Sequence, residues 1–174
     1  MTTARWMIRG HGFTLVELLI VIVVLVIAAA IVIPSIGSAA DTQAISAARV
    51  LGSDLEVARS LALTTQQPHS LVFSSDRQSY KVVADYSGQW YTAVAAVPHP
   101  VMAGRQFDVT LARQNGMRAV TISAASFGGL TYVTFDSQGE PSSGGAVIVE
   151  AGQVQMRVSV TALTGAVTVT RIAG

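Results

Sequence analysis

Residues 13–33 read FTLVELLIVIVVLVIAAAIVI, and this stretch constrains how the rest of the chain is arranged. Its only charged residue is Glu17, and the next charge along the chain is Asp41. An apolar helix of about 20 residues is long enough to cross the ~30 Å hydrocarbon core of a bilayer. The flanking positive charges, Arg5 and Arg9, precede the stretch, so the positive-inside rule places the short N-terminus in the cytoplasm. We therefore expect a single-pass membrane segment that leaves the remainder of the chain on the other side.

Three kinds of segment share such an apolar run. A cleaved secretory signal has an apolar region of about 7–15 residues before a small-residue site, and Ala28-Ala29-Ala30 fits such a site only loosely because the run continues past it. A plain signal anchor fits the hydropathy equally well. The third kind is an anchor whose carboxylate has a specific cationic partner, and Glu17 favours it. A carboxylate in an apolar helix costs about 2.5–3.5 kcal/mol at the bilayer centre and less near its edge, so a plain anchor would not be expected to carry one.

The sequence Arg9-Gly-His-Gly12 followed by Phe13-Thr-Leu-Val-Glu-Leu-Leu19 resembles the class III signal of type IV pilins and type II secretion pseudopilins. The resemblance implies that a prepilin peptidase cleaves between Gly12 and Phe13 and that Phe13 is then N-methylated. It also implies that Glu17 pairs with the N-terminal amine of the same or a neighbouring subunit, because pairing offsets much of the cost of burying either charge. A carboxylate that reaches the lipid headgroups is the alternative role of Glu17.

In this interpretation the apolar helix stays on the mature protein, first as membrane anchor and later as filament core. The residues assigned to that core are Leu18, Leu19, Ile20, Val24, Ile27, Ile31 and Pro34. Proline inside a helix removes one backbone hydrogen bond, so we expect a kink at Pro34. The predicted location is the bacterial inner membrane, with the N-terminus cytoplasmic and the C-terminal domain periplasmic in an assembled pseudopilus.

Beyond the membrane segment, the hydrophobic pattern first has a helical period and then an alternating one. Steps of three and four residues form one apolar helical stripe, made of Ile45, Ala48, Leu51, Leu55, Ala58 and Ala62. The helix is expected to end near Thr65, before Pro68. Alternating apolar residues then predict strands at 71–73, 80–83, 131–135, 146–149, 154–160 and 166–170.

These patterns predict an α+β fold, with one long N-terminal helix, transmembrane then amphipathic, packed on antiparallel β-sheet. We divide the chain into a leader at 1–12, a transmembrane and filament-core helix at 13–40, the periplasmic half of the helix at 41–66, and a β-rich periplasmic domain at 67–174. The resemblance to pilins implies the same arrangement.

A second resemblance narrows the family. Residues 54–63, DLEVARSLAL, before Gln67-Pro68 are similar to the helix end of the GspH/FimT group of minor pilins and pseudopilins. Phe135-Asp-Ser-Gln-Gly139 and the terminal strand after Thr164-Gly165 resemble that group's C-terminal half. The resemblance implies a structural subunit in the tip or initiation complex of a type II secretion pseudopilus. Its implied partners are other pseudopilins, the prepilin peptidase and N-methyltransferase, and the inner-membrane assembly platform.

Little in the sequence points to catalysis, a metal or a cofactor, and we expect none of the three. The 174 residues contain no cysteine, which excludes disulfides and thiolate chemistry. The sequence shows no G-x-S-x-G elbow, Walker loop or H-E-x-x-H. His69 and His99 lie beside prolines and are expected in solvated loops. Asp76 and Asp85 would form a calcium site only if their loops met, and turn capping is their expected role.

DNA binding in a FimT-like minor pilin is the alternative function. Such binding needs clustered Lys and Arg to neutralise phosphates. The 11 Lys and Arg include Arg5 and Arg9, and the 10 Asp and Glu include Glu17, so nine of each sign follow residue 40 and cancel. The charge balance thus disfavours nucleic-acid binding. The weak candidates for a DNA-binding patch are Arg105, Arg113, Arg118 and Arg171.

Overall fold

The computed structural model describes residues 13–32 and 35–173, with the side chains of 30–38 and 173 left out of the description. The chain divides into two units, residues 1–36 and 37–174. The predicted leader with Gly12, and the predicted kink at Pro34, lie outside the described residues.

The first unit contains helix α1, Leu15–Val32. Its residues are apolar apart from Glu17 in the first turn. In the described part of the chain, no helix combines the length and hydropathy needed to span a membrane.

Helix α2 runs from Ser35 to Thr65, and its C-terminal end agrees with the predicted one. Of the predicted stripe, Ala48, Leu51, Leu55, Ala58 and Ala62 are fully buried, and Ile45 is partly buried. The helix therefore uses this stripe to cover the hydrophobic core, as its three- and four-residue spacing requires.

In the described residues after α2, eight strands form two antiparallel four-stranded sheets. They are β1 His69–Phe73, β2 Ser79–Ala84, β3 Asp108–Thr110, β4 Thr121–Phe127, β5 Tyr132–Phe135, β6 Gly145–Ala151, β7 Val154–Val160 and β8 Val167–Ala173. The first sheet has the order β3-β2-β1-β5 and the second β4-β6-β7-β8. Two short 3-10 helices, Tyr91–Ala93 and Leu111–Arg113, flank β3 in sequence.

All six predicted strands are present, and the sequence pattern missed β3 and β4. Strand β3 has only three residues, too few to establish an alternation. Strand β4 contains a register shift between Ile122 and Ala124, where the pairing with β6 is irregular. Such an irregularity interrupts the two-residue period, so β4 does not read as a strand in the sequence.

The core lies between α2 and the inner faces of the two sheets. Its largest fully buried side chains include Tyr80 and Phe135 of the first sheet and Phe127 of the second. Gly52 lets α2 approach the second sheet closely, because a Cβ there would lie 3.1 Å from Cγ2 of Val169.

Candidate functional site

The N-terminal end of α1 carries the residues predicted for processing and assembly. Phe13 is 74% exposed just before the helix. The Thr14 side-chain oxygen accepts a hydrogen bond from the Glu17 N–H at 3.2 Å, which makes Thr14 the N-cap. Thr14 and Glu17 have the spacing of a capping box, a feature that the sequence analysis missed although the motif is visible there. Glu17 is exposed, and its charge lies at the positive end of the helix dipole.

The apolar side chains of α1 are exposed to solvent from Leu15 to Ile27. Leu18, Leu19, Ile20, Val24 and Ile27 of the predicted filament core are each between 55% and 56% exposed. Ile31 belongs to α1, but its side chain is not among those that the structure describes, and neither is Pro34. Contiguous apolar surface of this size marks a region that another molecule or a lipid phase covers.

The sequence motifs of the second resemblance meet at the C-terminal end of α2. The Arg59 Nε donates a hydrogen bond to the Gly139 carbonyl at 3.0 Å. A Cβ at Gly165 would lie 2.8 Å from the Gly139 carbonyl oxygen and 3.2 Å from Arg59 Nε. Residues from three distant segments thus pack so closely that both loop positions require glycine, each with a positive φ. Glu56 assists by pairing with Arg59 at 3.7 Å and accepting the Val167 N–H at 3.2 Å.

A partly buried hydrogen bond joins the middle of α2 to the first sheet. The Tyr80 hydroxyl, on a fully buried side chain, donates to Asp54 Oδ2 at 2.6 Å. Burial raises the pKa of Asp54 above its usual 3.8, against the opposing effects of the Tyr80 hydrogen bond and of His99. Burial and the Asp54 carboxylate raise the pKa of Tyr80 well above 10.0, so Tyr80 remains the donor. Sequence spacing gave no signal for this contact, because 26 residues separate the partners.

His69 and His99 are not in the solvated surroundings that their neighbouring prolines suggested. His69 is the first residue of β1 and is only 4% exposed, with Nδ1 2.9 Å from the Gln67 carbonyl oxygen. His99 is half-buried, and its ring packs on Phe107 at a centroid distance of 4.5 Å. His99 Nδ1 accepts the N–H groups of Val101 and Met102, both at 3.2 Å. Both side chains therefore organise local backbone.

The four arginines of the weak DNA-binding prediction are all exposed, but they lie on separate parts of the fold. Arg113 and Arg118 share the connection between β3 and β4. Arg105 lies in the loop before β3, and Arg171 lies on β8 in the other sheet. Of the four arginines, only Arg113 and Arg118 therefore share a connection.

Asp76 caps the turn between β1 and β2. Its Oδ1 accepts hydrogen bonds from Ser74 Oγ at 2.5 Å and from the Gln78 N–H at 3.0 Å. Within the part of the chain that the structure describes, no group of three or more His, Asp or Glu side chains is arranged to hold a metal ion.

Comparison with known proteins gives two family matches. A family model described as type II transport protein GspH matches residues 47–164. A model of the prokaryotic N-terminal methylation motif matches residues 7–33, which include the Gly12–Phe13 junction and Glu17. No curated protein matches the chain.

Three similar solved structures share the fold at low sequence identity. The minor pseudopilin EpsH of the Vibrio cholerae type II secretion system matches at 13% identity and a TM-score of 0.53, over 76% of this chain and 95% of that one. A second structure of EpsH from Vibrio cholerae matches at 14% identity and a TM-score of 0.51, over 75% and 97%. The Pseudomonas aeruginosa type IV minor pilin FimU matches at 14% identity and a TM-score of 0.52, over 76% and 93%. The predicted pilin-like α+β fold is confirmed.

Proposed function

The chain belongs to the GspH family of type II transport proteins, and from this premise we propose that it is a minor pseudopilin in the tip or initiation complex of a type II secretion pseudopilus. The family is one of structural subunits, so the proposed role is to assemble with other pseudopilins. It would reach the assembly by way of the prepilin peptidase and the inner-membrane assembly platform.

The single observation that carries the proposal is the exposed apolar surface of α1 in a chain whose C-terminal unit has its own core. Burying a Leu, Ile or Val side chain is worth about 1.5–3 kcal/mol, so a helix with such side chains exposed from Leu15 to Ile27 favours a covered state. Lipid would cover it before assembly, and neighbouring subunits in the filament. The match of the methylation motif to residues 7–33 supports the same use of this segment.

Processing gives the N-terminus its proposed chemistry. Cleavage after Gly12 makes the nitrogen of Phe13 a new amine, and methylation there leaves a cation. Glu17 lies in the first turn of α1. In the proposed assembly its carboxylate would pair with the amine of the same or a neighbouring subunit. Pairing the two charges lowers the cost of burying each in an apolar bundle. We place the N-terminus in the cytoplasm and the sheet domain in the periplasm.

Intact mass tests the proposal directly. The protein is extracted from membranes of cells with and without the prepilin peptidase. We expect loss of residues 1–12 and gain of one methyl group only where the peptidase is present. An uncleaved mass in both strains would contradict the pilin-like processing and with it the filament role.

A FimT-like minor pilin with a part in pilus biogenesis or DNA uptake is the second candidate, favoured by the exposure of Arg113 and Arg118 on one connection. DNA affinity from two phosphate contacts would fall with salt at a slope of about −1.8 in log K against log [salt]. Replacement of both arginines by alanine should abolish that binding, whereas replacement of the exposed Arg157 on β7 should not. Binding that is insensitive to the double substitution would exclude this surface.

A further inference from the structure

A cleft with a volume of about 590 Å³ opens on the first sheet, beside the turn between β1 and β2. One side of the cleft is formed by that turn, including Ser74 and Asp76, and the other by Tyr86 and residues 88–92. The cleft lies entirely within the sheet domain. None of the features assigned to processing or filament assembly uses it.

Aromatic rings dominate one wall. Trp90 is 85% exposed, unusually so for a large aromatic side chain in a folded domain. Tyr86 packs edge-on against Tyr132 at a centroid distance of 4.8 Å, and Tyr91 has the Lys81 ammonium 4.1 Å from its ring centroid. The tyrosines are thus fixed by neighbours, while the Trp90 ring remains available as a flat apolar surface.

The wall is held in place before any ligand binds. Lys81 is only 6% exposed, and its Nζ donates to the Val94 carbonyl at 2.8 Å. The Tyr91 hydroxyl donates to Ser79 Oγ at 3.2 Å, which ties the wall to β2. A preformed wall lowers the entropy lost on binding and is typical of small-ligand sites.

The opposite wall and the floor present hydroxyl groups and one carboxylate. Hydroxyl side chains line this part of the cleft at Ser74, Ser75, Ser79 and Thr131, and Thr92 adds a hydroxyl from the aromatic side. The Ser74 hydrogen bond and the Gln78 N–H lower the pKa of Asp76, so its carboxylate is ionised at neutral pH and can accept hydrogen bonds. Among the lining residues of this cleft in the described chain there is no Lys or Arg, which disfavours phosphates, sulfates and acidic polymers.

The position of the cleft within the sheet also disfavours an extended peptide. Strands β1 and β2 are the two interior strands of the first sheet, since the order is β3-β2-β1-β5. Each is hydrogen-bonded to a neighbour on both sides, so neither offers a free edge for an added strand. The available interactions are an aromatic face and side-chain hydroxyl and carboxylate groups.

We propose that this cleft binds a neutral saccharide chain. The apolar C–H face of one sugar ring stacks on Trp90, and sugar hydroxyls donate to the Asp76 carboxylate and exchange hydrogen bonds with the serine and threonine hydroxyls. A sugar ring combines one apolar face with a rim of hydroxyls, which matches the two walls. The subunit would then contact a glycan through the sheet domain while α1 serves assembly.

Calorimetric titration of the full chain tests the proposal. The protein is kept in a detergent without a sugar headgroup, because an alkyl glycoside would compete for the cleft. The probes are three neutral tetrasaccharides: β-1,4-linked N-acetylglucosamine, β-1,4-linked glucose and α-1,4-linked glucose. We expect saturable binding of at least one. Failure of all three to bind would overturn the proposal, as would stronger binding of an acidic tetrasaccharide or of an extended peptide.

Variants locate the binding. Trp90→Ala should weaken binding about tenfold or more, because the stacking face is lost. Leu163→Ala is the matched control, since Leu163 is 81% exposed in the turn between β7 and β8 of the other sheet, and it should leave binding unchanged. In a Trp6→Phe background Trp90 is the only tryptophan, so its fluorescence should change with the same affinity. Equal binding by the Trp90 and Leu163 variants would place the saccharide elsewhere and refute the assignment.

Discussion

At the scale of single residues, Glu17 has two structural reasons to be where it is. Its N–H donates to the Thr14 side-chain oxygen in a Thr-x-x-Glu sequence with the spacing of a capping box, and its negative charge lies in the first turn of α1. The proposed assembly role asks more of it, namely a charge that pairs with the amine of Phe13 on the same or another subunit. Capping accepts either Glu or Gln, whereas charge pairing requires the carboxylate.

Comparison of Glu17→Gln with Glu17→Ala separates these roles. If charge pairing dominates, both substitutions should abolish cross-linking of the subunit to other pseudopilins in membranes. Leader cleavage, read from the intact mass, serves as the control that the variants are made and processed. Cross-linking retained by Glu17→Gln and lost only in Glu17→Ala would assign the residue to capping instead.

The Asp54–Tyr80 pair makes stability depend on pH. Since the pKa of Asp54 is raised in the folded state, folded protein holds this proton more tightly than unfolded protein does. The resulting contribution to stability is complete below the unfolded pKa of 3.8 and is lost as pH rises through the folded pKa. We expect Asp54→Asn to remove this contribution, so that wild type loses stability relative to the variant as pH rises from 3.8.

Thermal unfolding by circular dichroism, measured for both proteins across this pH range, gives the difference directly. Tyr80→Phe is the matched control. It removes the hydroxyl whose hydrogen bond lowers the Asp54 pKa, so the pH-dependent loss should extend to higher pH. Parallel curves for wild type and Asp54→Asn would show that Asp54 titrates alike in both states, contrary to this account.

At the scale of elements, the C-terminal end of α2 packs closely against two loops at positions occupied by glycine. Gly139 has φ 77°, and a Cβ there would lie 3.2 Å from Arg59 Nε and from Leu63 Cγ. Gly116 has the same φ of 77° but has no atom within 4 Å of such a Cβ. The two positions therefore separate backbone strain from crowding against the helix.

Substitution by alanine should lower the free energy of unfolding by different amounts at these two positions. Gly116→Ala should lower the free energy of unfolding by about 1–2 kcal/mol, the cost of a left-handed backbone at a residue with a Cβ. Gly139→Ala should cost about 1–3 kcal/mol more, because the Arg59 and Leu63 side chains must also give way. Urea denaturation of both variants measures the difference. Equal losses would mean that Arg59 and Leu63 yield without cost and that the contact does not fix the helix end.

At the scale of the whole molecule, the chain consists of two units that differ in how far their apolar side chains are buried. Every buried apolar side chain in the described residues belongs to the second unit, from Ala44 onward. The described apolar side chains of α1 are exposed. Cooperative folding should therefore reside in residues 37–174, and association in the N-terminal segment.

A chain that begins at Gly37 tests this separation. We expect it to melt at the same temperature as the full chain in detergent, and to elute as a monomer without detergent. The full chain should require detergent or lipid to stay dispersed, because α1 is present. A truncated chain that fails to fold would show that α1 contributes to the core, in conflict with the division at residue 36.

Elements with a local signal could be predicted from the residue pattern alone. The stripe from Ile45 to Ala62 specified α2, because a helix brings residues three and four apart to one face. Alternation specified strands such as β7, where Val154, Met156 and Val158 are buried. The basic leader, Gly12-Phe13 and Glu17 indicated the family, because that motif is contiguous and its spacing is fixed.

Contacts between residues far apart in the chain became visible only in the folded structure. The Tyr80 hydroxyl reaches Asp54, and Arg59 holds Gly139, across 26 and 80 positions of sequence, where no local period exists. Strand β4 depends on pairing with β6 rather than on its own alternation, which its irregular register breaks. The cleft beside Trp90 likewise arises where a loop folds over a sheet. Such contacts are set by the global packing of core and loops, because their energies are realised only once the chain has folded.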